Sequence, residues 1–163
     1  MHAYYQSICG RILLTATENY LTGLYFENQK GYPELSDSEE GENRVISETR
    51  RYLNFYFSGK NPDFSPPILV EGTDFHKQVC LLMLEIPYGT TRTYKELADS
   101  IAKERGIMKM SARAIGSAVG KNRISIIIPC HRVIGSNGDL TGYAGGLERK
   151  KMLLELEGVT LLS

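Results

Sequence analysis

Cys130, His131 and Arg132 follow one another directly, immediately after Pro129. A thiolate is a strong nucleophile, and neighbouring positive charges lower a thiol pKa and favour the thiolate form. Proline fixes the local backbone direction and disfavours a helix before it. The order Pro-Cys-His-Arg therefore predicts that Cys130 is a reactive nucleophile. Adjacent strand residues point to opposite faces, so cooperation between Cys130 and His131 requires a backbone turn or a bridging water.

Two other interpretations of Cys130 have to be weighed. A free cysteine is usually a small buried apolar side chain, and that description suits Cys9 and Cys80 better than Cys130. A zinc site on Cys130 and His131 is disfavoured because adjacent ligands rarely fit one tetrahedral ion. The odd number of cysteines, without a C-x-x-C pair, argues against a disulfide framework. The sequence thus predicts free thiols, no metal and no cofactor.

The elements that position Cys130 follow from periodicity and capping residues. In chain order they are hairpin strands 12–17 and 20–26, a polar loop 28–42, and helices 43–58, 74–86, 94–103, 112–120 and 147–157. Thr73 or Asp74, Thr93 and Ser111 stand at the N-cap positions of three of these helices. The apolar run 124–128 predicts a buried strand that leads into Cys130.

This order of elements predicts an α/β (α+β) protein with two subdomains. Residues 1–72 are expected to form a small, mainly antiparallel β-sheet subdomain with a helix, and residues 73–163 a mainly helical one. Segment 61–72, with three prolines and a short apolar strand at 68–70, marks the crossing between them. A chain of 163 residues is long enough for such subdomains to share a core.

Charge is unevenly distributed, although the chain is neutral overall. Residues 1–72 carry six basic and ten acidic side chains, whereas residues 90–135 carry nine basic and three acidic ones. The basic stretch contains helices 94–103 and 112–120, which resemble a helix-turn-helix with a long connecting loop. Such a positive face suits phosphates, but scattered solvated lysines explain the charge equally well.

Membrane and export signals are absent from the sequence. No apolar run reaches about 18 residues, and no basic region followed by an apolar stretch begins the chain. The sequence therefore predicts a cytoplasmic location and no membrane partner.

Several blocks of the sequence resemble the 6-O-alkylguanine-DNA alkyltransferases, also called methylated-DNA–protein-cysteine methyltransferases. The most specific block is 128–133, Ile-Pro-Cys-His-Arg-Val, which is similar to the family's active-site signature. The other blocks are 94–98, 112–116, Asn122, 142–146 and Glu157-Gly158. Together they cover residues 73–158 in the family's order, whereas residues 1–72 resemble the family only loosely.

The resemblance implies a ribonuclease-H-like N-terminal subdomain and a winged helix-turn-helix-like DNA-binding motif. It implies DNA repair by direct damage reversal, in which a monomer binds double-stranded DNA containing alkylated guanine. A methyl or larger alkyl group moves once and irreversibly from the 6-oxygen of guanine to Cys130, after the nucleotide is flipped out. The resemblance also allows a weaker activity on 4-O-alkylthymine.

The resemblance assigns catalytic roles to five residues. Cys130 is the alkyl acceptor, and His131 is the base that takes the thiol proton through a water. Glu157 orients and charges that histidine. Asn122 ties the turn beside the thiol, and Tyr94 helps to rotate the nucleotide and donates a proton or hydrogen bond to the departing guanine.

The remaining assigned residues contact the substrate base or the DNA. Substrate binding is expected of Arg113, Tyr94, Val133, Tyr143, Ala144 and Gly145. DNA contacts are expected of Thr93, Ser111, Ala112, Arg113, Ala114, Gly116, Ser117 and Lys121. In this scheme Arg113 enters the space that the flipped base leaves, and the small residues allow close approach to a minor groove. From composition alone, a tight helix–helix contact is the preferred explanation of the same small residues.

Two functions of other classes remain as alternatives. A damage-recognition module would use the helix-turn-helix without any transfer, although such relatives lack the cysteine. A cysteine hydrolase would use Cys130 and His131, but it would give no role to Arg113.

Overall fold

The computed structural model describes residues 1–161, so the last two residues of the predicted subdomain 73–163 lie outside the described residues. The chain begins with an antiparallel sheet in the order β1-β2-β3. Its strands are β1 (His2–Ser7), β2 (Gly10–Ala16) and β3 (Leu21–Phe26), and helix α1 (Arg44–Phe57) packs against them. The predicted hairpin, the polar loop and the following helix are confirmed.

The second half of the chain is mainly helical, as predicted. It contains α2 (Asp74–Leu84), α3 (Tyr94–Arg105), α4 (Ala112–Gly120) and α5 (Leu147–Leu156). A short parallel pair, β4 (Arg92–Thr93) with β5 (Val133–Ile134), links the start of α3 to the segment after Cys130. Side chains of Thr73, Thr93 and Ser111 accept the N-cap hydrogen bonds of α2, α3 and α4, which is why these helices begin where the sequence predicts.

One hydrophobic core joins the two halves. Leu24 of the sheet, Ile46 of α1, Met83 of α2 and Ile101 of α3 are all buried in it. The α/β architecture of an antiparallel sheet with a helix, followed by a helical half, is therefore confirmed. Within residues 1–161, no helix is both long and apolar enough to cross a membrane.

The predicted strand 124–128 is wrong, although its burial is confirmed. Only Ile124 pairs with the sheet, in a single parallel bridge to Leu24 of β3. The chain then folds back on itself, since the N–H of Ile128 donates to the carbonyl of Ile124 and that of Ile127 to Ser125. The predicted strand 68–70 is likewise reduced to one bridge. An apolar run shows that a segment is buried, but it does not show where its backbone hydrogen bonds go.

The turn at 124–128 is held by the buried side chain of Asn122. Its amide nitrogen donates to the carbonyl of Ile128 at 2.9 Å, and its oxygen accepts from the N–H of Ile124 at 3.0 Å. Between them Ile126 has a φ of +71°, which costs a β-branched residue about 1–3 kcal/mol. Asn122 therefore stabilises a strained turn that leads directly to Cys130.

Replacing Asn122 by alanine should destabilise the protein by about 2–3 kcal/mol, because the buried Ile124 N–H loses its partner and the Ile128 carbonyl keeps only the Cys130 N–H. The free energy of unfolding in urea measures the change. Asn61→Ala is the matched control, since Asn61 is exposed and its side chain makes no hydrogen bond within residues 1–161; a loss of at most about 0.5 kcal/mol is expected there. Equal losses in both variants would contradict this role of Asn122.

Candidate active site

Cys130 opens a single 3-10 turn, Cys130–Arg132, that follows the strained segment. The Cys130 N–H donates to the carbonyl of Ile128, and the N–H of Val133 donates back to the carbonyl of Cys130. The backbone turn that cooperation between Cys130 and His131 requires is therefore present. In a strand, the side chains of adjacent residues point to opposite faces, but in a helical turn they do not.

Cys130 lies at a cleft of about 240 Å³. The other residues that line the cleft are Lys30, Tyr94, Gly116, Val119, Gly120, Asn122, Gly142, Tyr143 and Ala144. The cleft thus lies between α4, the start of α3 and the loop 142–144. The hydroxyl of Tyr143 is buried there, and within the described part of the chain it makes no hydrogen bond, which is unusual for a buried polar atom.

Behind Cys130, the buried carboxylate of Glu157 organises the site. It accepts hydrogen bonds from His131, from Arg132, from the Tyr56 hydroxyl at 2.6 Å and from the Gly89 N–H at 3.0 Å. Burial acts to raise the pKa of Glu157, but the hydrogen bond from His131 and the Arg132 charge outweigh it and lower the pKa to about 2. Glu157 is therefore ionised at neutral pH.

The ionised carboxylate of Glu157 determines which ring nitrogen of His131 carries the proton. Nε2 of His131 contacts Oε2 of Glu157, and an ionised carboxylate only accepts hydrogen bonds, so Nε2 carries the proton. Burial lowers the pKa of His131 despite the opposing effect of Glu157, which keeps the ring neutral. Nδ1 is then an unprotonated acceptor, and it is buried without a hydrogen-bond partner among residues 1–161. A neutral imidazole with an unprotonated Nδ1, in the residue next to a thiol, is suited to act as a general base.

The expected low pKa of Cys130 is wrong for the free protein. Burial raises the pKa of the thiol, and the Asn122 amide and the Lys150 ammonium only oppose that effect. Arg132, which the sequence offered as the activating charge, is paired instead with Glu157. The thiol is therefore protonated at rest and needs a base to react. Cys9 and Cys80 are also buried, and burial raises the pKa of both thiols.

The predicted DNA-contacting residues on helix α4 and at its two ends differ in their exposure to solvent. Ser111, Ala112, Arg113, Ser117 and Lys121 are exposed, whereas Ala114 and Gly116 are half-buried. The opposite face, with Ile115, Ala118 and Val119, is buried in the core. The packing explanation therefore applies to the buried face, whereas DNA contact by the exposed face stays a prediction. Thr93 caps α3 close to Tyr94 at the cleft.

Three predicted substrate-binding residues lie outside the lining of the cleft, and one of them is the exposed Arg113 of α4. Val133 is buried in the core, and its carbonyl accepts from Lys150 Nζ. Gly145 is buried behind Tyr143, where an added Cβ would lie 2.9 Å from the Tyr143 ring and 2.8 Å from that of Phe26. Gly145 therefore allows the Tyr143 ring to pack where it does.

Sequence reasoning missed Tyr56, Lys150 and Lys30. Tyr56 lies 101 residues from the carboxylate it contacts, and nothing distinguishes it among ten tyrosines. Lys30 lines the cleft from the loop after β3. The backbone N–H of Lys30 donates to the carbonyl of Ala144, which connects this loop to the loop 142–144. The only available signal was for Lys150, whose position on the apolar side of the last helix conflicts with a charged side chain.

Comparisons with known proteins cover nearly the whole chain. The family model of the 6-O-methylguanine DNA methyltransferase DNA binding domain matches residues 74–159, and that of the ribonuclease-like domain matches residues 1–70. The methylated-DNA–protein-cysteine methyltransferase of Methanosarcina barkeri is 48% identical over 152 residues, 93% of either chain. The Haemophilus influenzae protein of that name is 39% identical and covers 97% of this chain and 86% of its own.

A solved structure shows a similar fold. The crystal structure of Mycobacterium tuberculosis OGT in complex with DNA is 40% identical, with a TM-score of 0.82. The match covers 96% of this chain and 91% of that one.

Replacing Tyr56 by phenylalanine should cost about 1.5–3 kcal/mol of stability, because a buried charged carboxylate loses one donor. The free energy of unfolding in urea is the measurement. Tyr20→Phe is the control, since Tyr20 is 44% exposed and its hydroxyl makes no hydrogen bond among the described residues. A loss below about 0.5 kcal/mol in Tyr56→Phe would show that the remaining donors suffice for Glu157.

Proposed function

The chain belongs to the 6-O-methylguanine DNA methyltransferase family, and we propose that it repairs DNA by moving a methyl group from the 6-oxygen of guanine to its own Cys130. The enzyme is a methylated-DNA–protein-cysteine methyltransferase that acts once, because the thioether on Cys130 is stable. Larger alkyl groups, and more weakly 4-O-alkylthymine, are further substrates within this proposal.

One observation carries the mechanism. The Cys130 thiol lies at a cleft beside the open face of α4, and a neutral His131 with a free Nδ1 and an ionised Glu157 lies behind it. This is the combination of nucleophile, base and orienting carboxylate that activates a weak nucleophile. The binding-only alternative gives no role to this combination.

The transfer proceeds by displacement at the alkyl carbon. The thiol proton passes through a water to Nδ1 of His131, and the thiolate attacks the methyl carbon. As the sulfur–carbon bond forms, the carbon–oxygen bond breaks and its electron pair stays on the guanine oxygen. Tyr94, whose hydroxyl donates to the Thr141 carbonyl at 3.1 Å in the free protein, then donates a hydrogen bond or proton to the departing base.

A base within a duplex cannot reach this thiol, so the nucleotide has to leave the helix. The exposed Arg113 on α4 is suited to fill the vacated space, and the exposed small residues Ser111, Ala112 and Ser117 allow close approach to the minor groove. Tyr143 and the backbone of Ala144 form the wall that receives the flipped base, and Gly145 supports this wall from behind Tyr143.

Other properties belong to the same proposal. Because the acceptor, the base and the carboxylate all come from one chain, we infer that a monomer acts without metal or cofactor. The three free thiols fit the reducing cytoplasm. The division into subdomains 1–72 and 73–163 is supported by the Thr73 cap, where α2 begins.

Incubation with a duplex that contains one methylated guanine should add one methyl group to Cys130 per protein molecule, in step with the repaired base. Intact-protein and peptide mass spectrometry measure the adduct. Cys130→Ala should abolish it, whereas the control Cys80→Ala, at another buried thiol, should keep it. Tight lesion binding without any adduct would favour the recognition module, and turnover on an ester without an adduct would favour the hydrolase.

Replacing Arg113 by alanine should slow transfer from a duplex by about tenfold or more, equivalent to about 1.4 kcal/mol. Transfer from a single-stranded oligonucleotide should change much less, because an unpaired base needs no flipping. Single-turnover rates on both substrates measure the difference, and Arg44→Ala, at an exposed arginine of α1, is the control. Equal slowing on both substrates, or a large loss of stability, would show that Arg113 acts through packing.

A further inference from the structure

A second cavity adjoins the active-site cleft along helix α4. It has a volume of about 550 Å³, compared with about 240 Å³ for the cleft at Cys130. The two cavities share four lining residues, Lys30, Gly116, Gly120 and Asn122, so they meet along one side of the helix. The proposed transfer to Cys130 takes place in the first of them and leaves the second without a role.

The lining of the second cavity is positively charged. Lys30 from the loop after β3, Lys121 at the C-cap of α4 and Arg123 just beyond it all contribute, and among the described residues no carboxylate does. All three side chains are exposed. Arg123 contacts Glu71 outside the cavity at 3.5 Å, but both side chains are more than half exposed, and such a pair contributes little to stability. Three like charges on one concave surface favour an anionic ligand.

The turn that carries Lys30 is held in place, so this cation has a defined position. Oε1 of the buried Gln29 accepts from the Phe26 N–H at 2.8 Å, and its Nε2 donates to the Lys30 carbonyl at 3.3 Å. The Lys30 N–H donates to the Ala144 carbonyl at 3.3 Å. The backbone of Lys30 thus joins the N-terminal subdomain to the cleft loop, while its exposed side chain lines both cavities.

Two glycines of α4 leave room at the junction of the cavities that packing within the protein does not require. An added Cβ at Gly120 would meet no atom within 4 Å, and one at Gly116 would meet only the Tyr94 ring, at 3.9 Å. Neither glycine has a positive φ, so the backbone conformation does not require glycine either. Glycine within a helix is unfavourable relative to alanine, whereas it allows close approach of a ligand to the backbone. A ligand that lies against α4 therefore explains both glycines.

We propose that the second cavity binds the sugar-phosphate backbone of the lesion-bearing strand on one side of the flipped nucleotide, with Lys30, Lys121 and Arg123 as phosphate ligands. A flipped nucleotide stays joined to its neighbours by phosphodiesters, so the strand has to pass along a surface that adjoins the cleft. Through Lys30, the N-terminal subdomain becomes part of the DNA-binding surface. The inference rests on the proposed function, because it takes damaged DNA as the substrate.

A double-mutant cycle between Lys30 and single phosphates tests the inference. Binding of a duplex with one methylated guanine is measured by fluorescence anisotropy in a Cys130→Ala background, so that the lesion stays intact. Each phosphate near the lesion is replaced in turn by a neutral methylphosphonate. At one position the replacement should weaken binding by about threefold or more when Lys30 is present, and by much less in Lys30→Met. Losses that add in full at every position would overturn the inference.

The salt dependence of the same binding provides a charge-matched control. Lys30→Met should lower the slope of log affinity against log salt by about one, because one phosphate contact is lost, whereas Lys30→Arg should keep it. Lys60→Met changes the net charge equally at an exposed lysine outside the lining of both cavities, and it should leave the slope unchanged. Equal decreases in Lys30→Met and Lys60→Met would show a general charge effect and overturn the inference.

A substitution at Gly120 tests the space instead of the charge. Gly120→Leu should weaken binding of the lesion duplex by about threefold or more at an unchanged salt slope, because the added side chain occupies the path of the strand. The urea midpoint should not fall, since Gly120 is exposed. Ser47→Leu, at an exposed position of α1, is the control. Full affinity in Gly120→Leu would show that the strand does not pass along α4 there and would overturn the inference.

Failure of the proposed function gives a different pattern from failure of this inference. If the unsubstituted protein transfers no methyl group while the coupling between Lys30 and a phosphate is observed, the transfer reaction fails and the DNA-binding role of the second cavity stands. If transfer occurs and Lys30 shows no coupling to any phosphate, only the role of the second cavity fails.

Discussion

The buried carboxylate of Glu157 is the interaction on which the site depends. A negative charge in the protein interior is tolerable only when donors surround it, and here the donors come from α1, from the loop after α2 and from the turn Cys130–Arg132. Each donor fixes the position of its own segment, so one carboxylate aligns three parts of the chain. The same charge fixes the His131 tautomer and leaves Nδ1 free to accept a proton.

The thiol of Cys130, the proposed nucleophile, is buried and protonated in the free protein. Burial of Cys130 opposes ionisation, while Asn122 and Lys150 favour it, and the balance in the free protein lies with the thiol. A protonated thiol is a poor nucleophile, which protects a residue that this family's chemistry consumes only once. In the proposed reaction, His131 and the filled cleft therefore supply the reactivity, rather than a permanently low thiol pKa.

The N-terminal half supports the site directly instead of only completing the core. Tyr56 of α1 donates to Glu157, and the edge of β3 pairs with Ile124 before the strained turn. Arg149 of α5 donates to the carbonyls of Cys9 and Glu27, which ties the helix that carries Lys150 to the sheet. The function of the second half thus depends on residues of the first, where the sequence blocks of the resemblance are weakest.

The sequence by itself determined the helices and the hairpin, and it identified the proposed reacting groups. Caps such as Thr93 and Ser111 and apolar periodicity act over a few residues, so the helices and the hairpin could be predicted, and Pro-Cys-His-Arg is contiguous. The tertiary structure alone decided the turn at 124–128, the partner of Arg132, the direction of the thiol pKa and the buried position of Lys150. These features depend on hydrogen-bond partners and dielectric surroundings that segments distant in the sequence provide, and a local pattern contains no record of either.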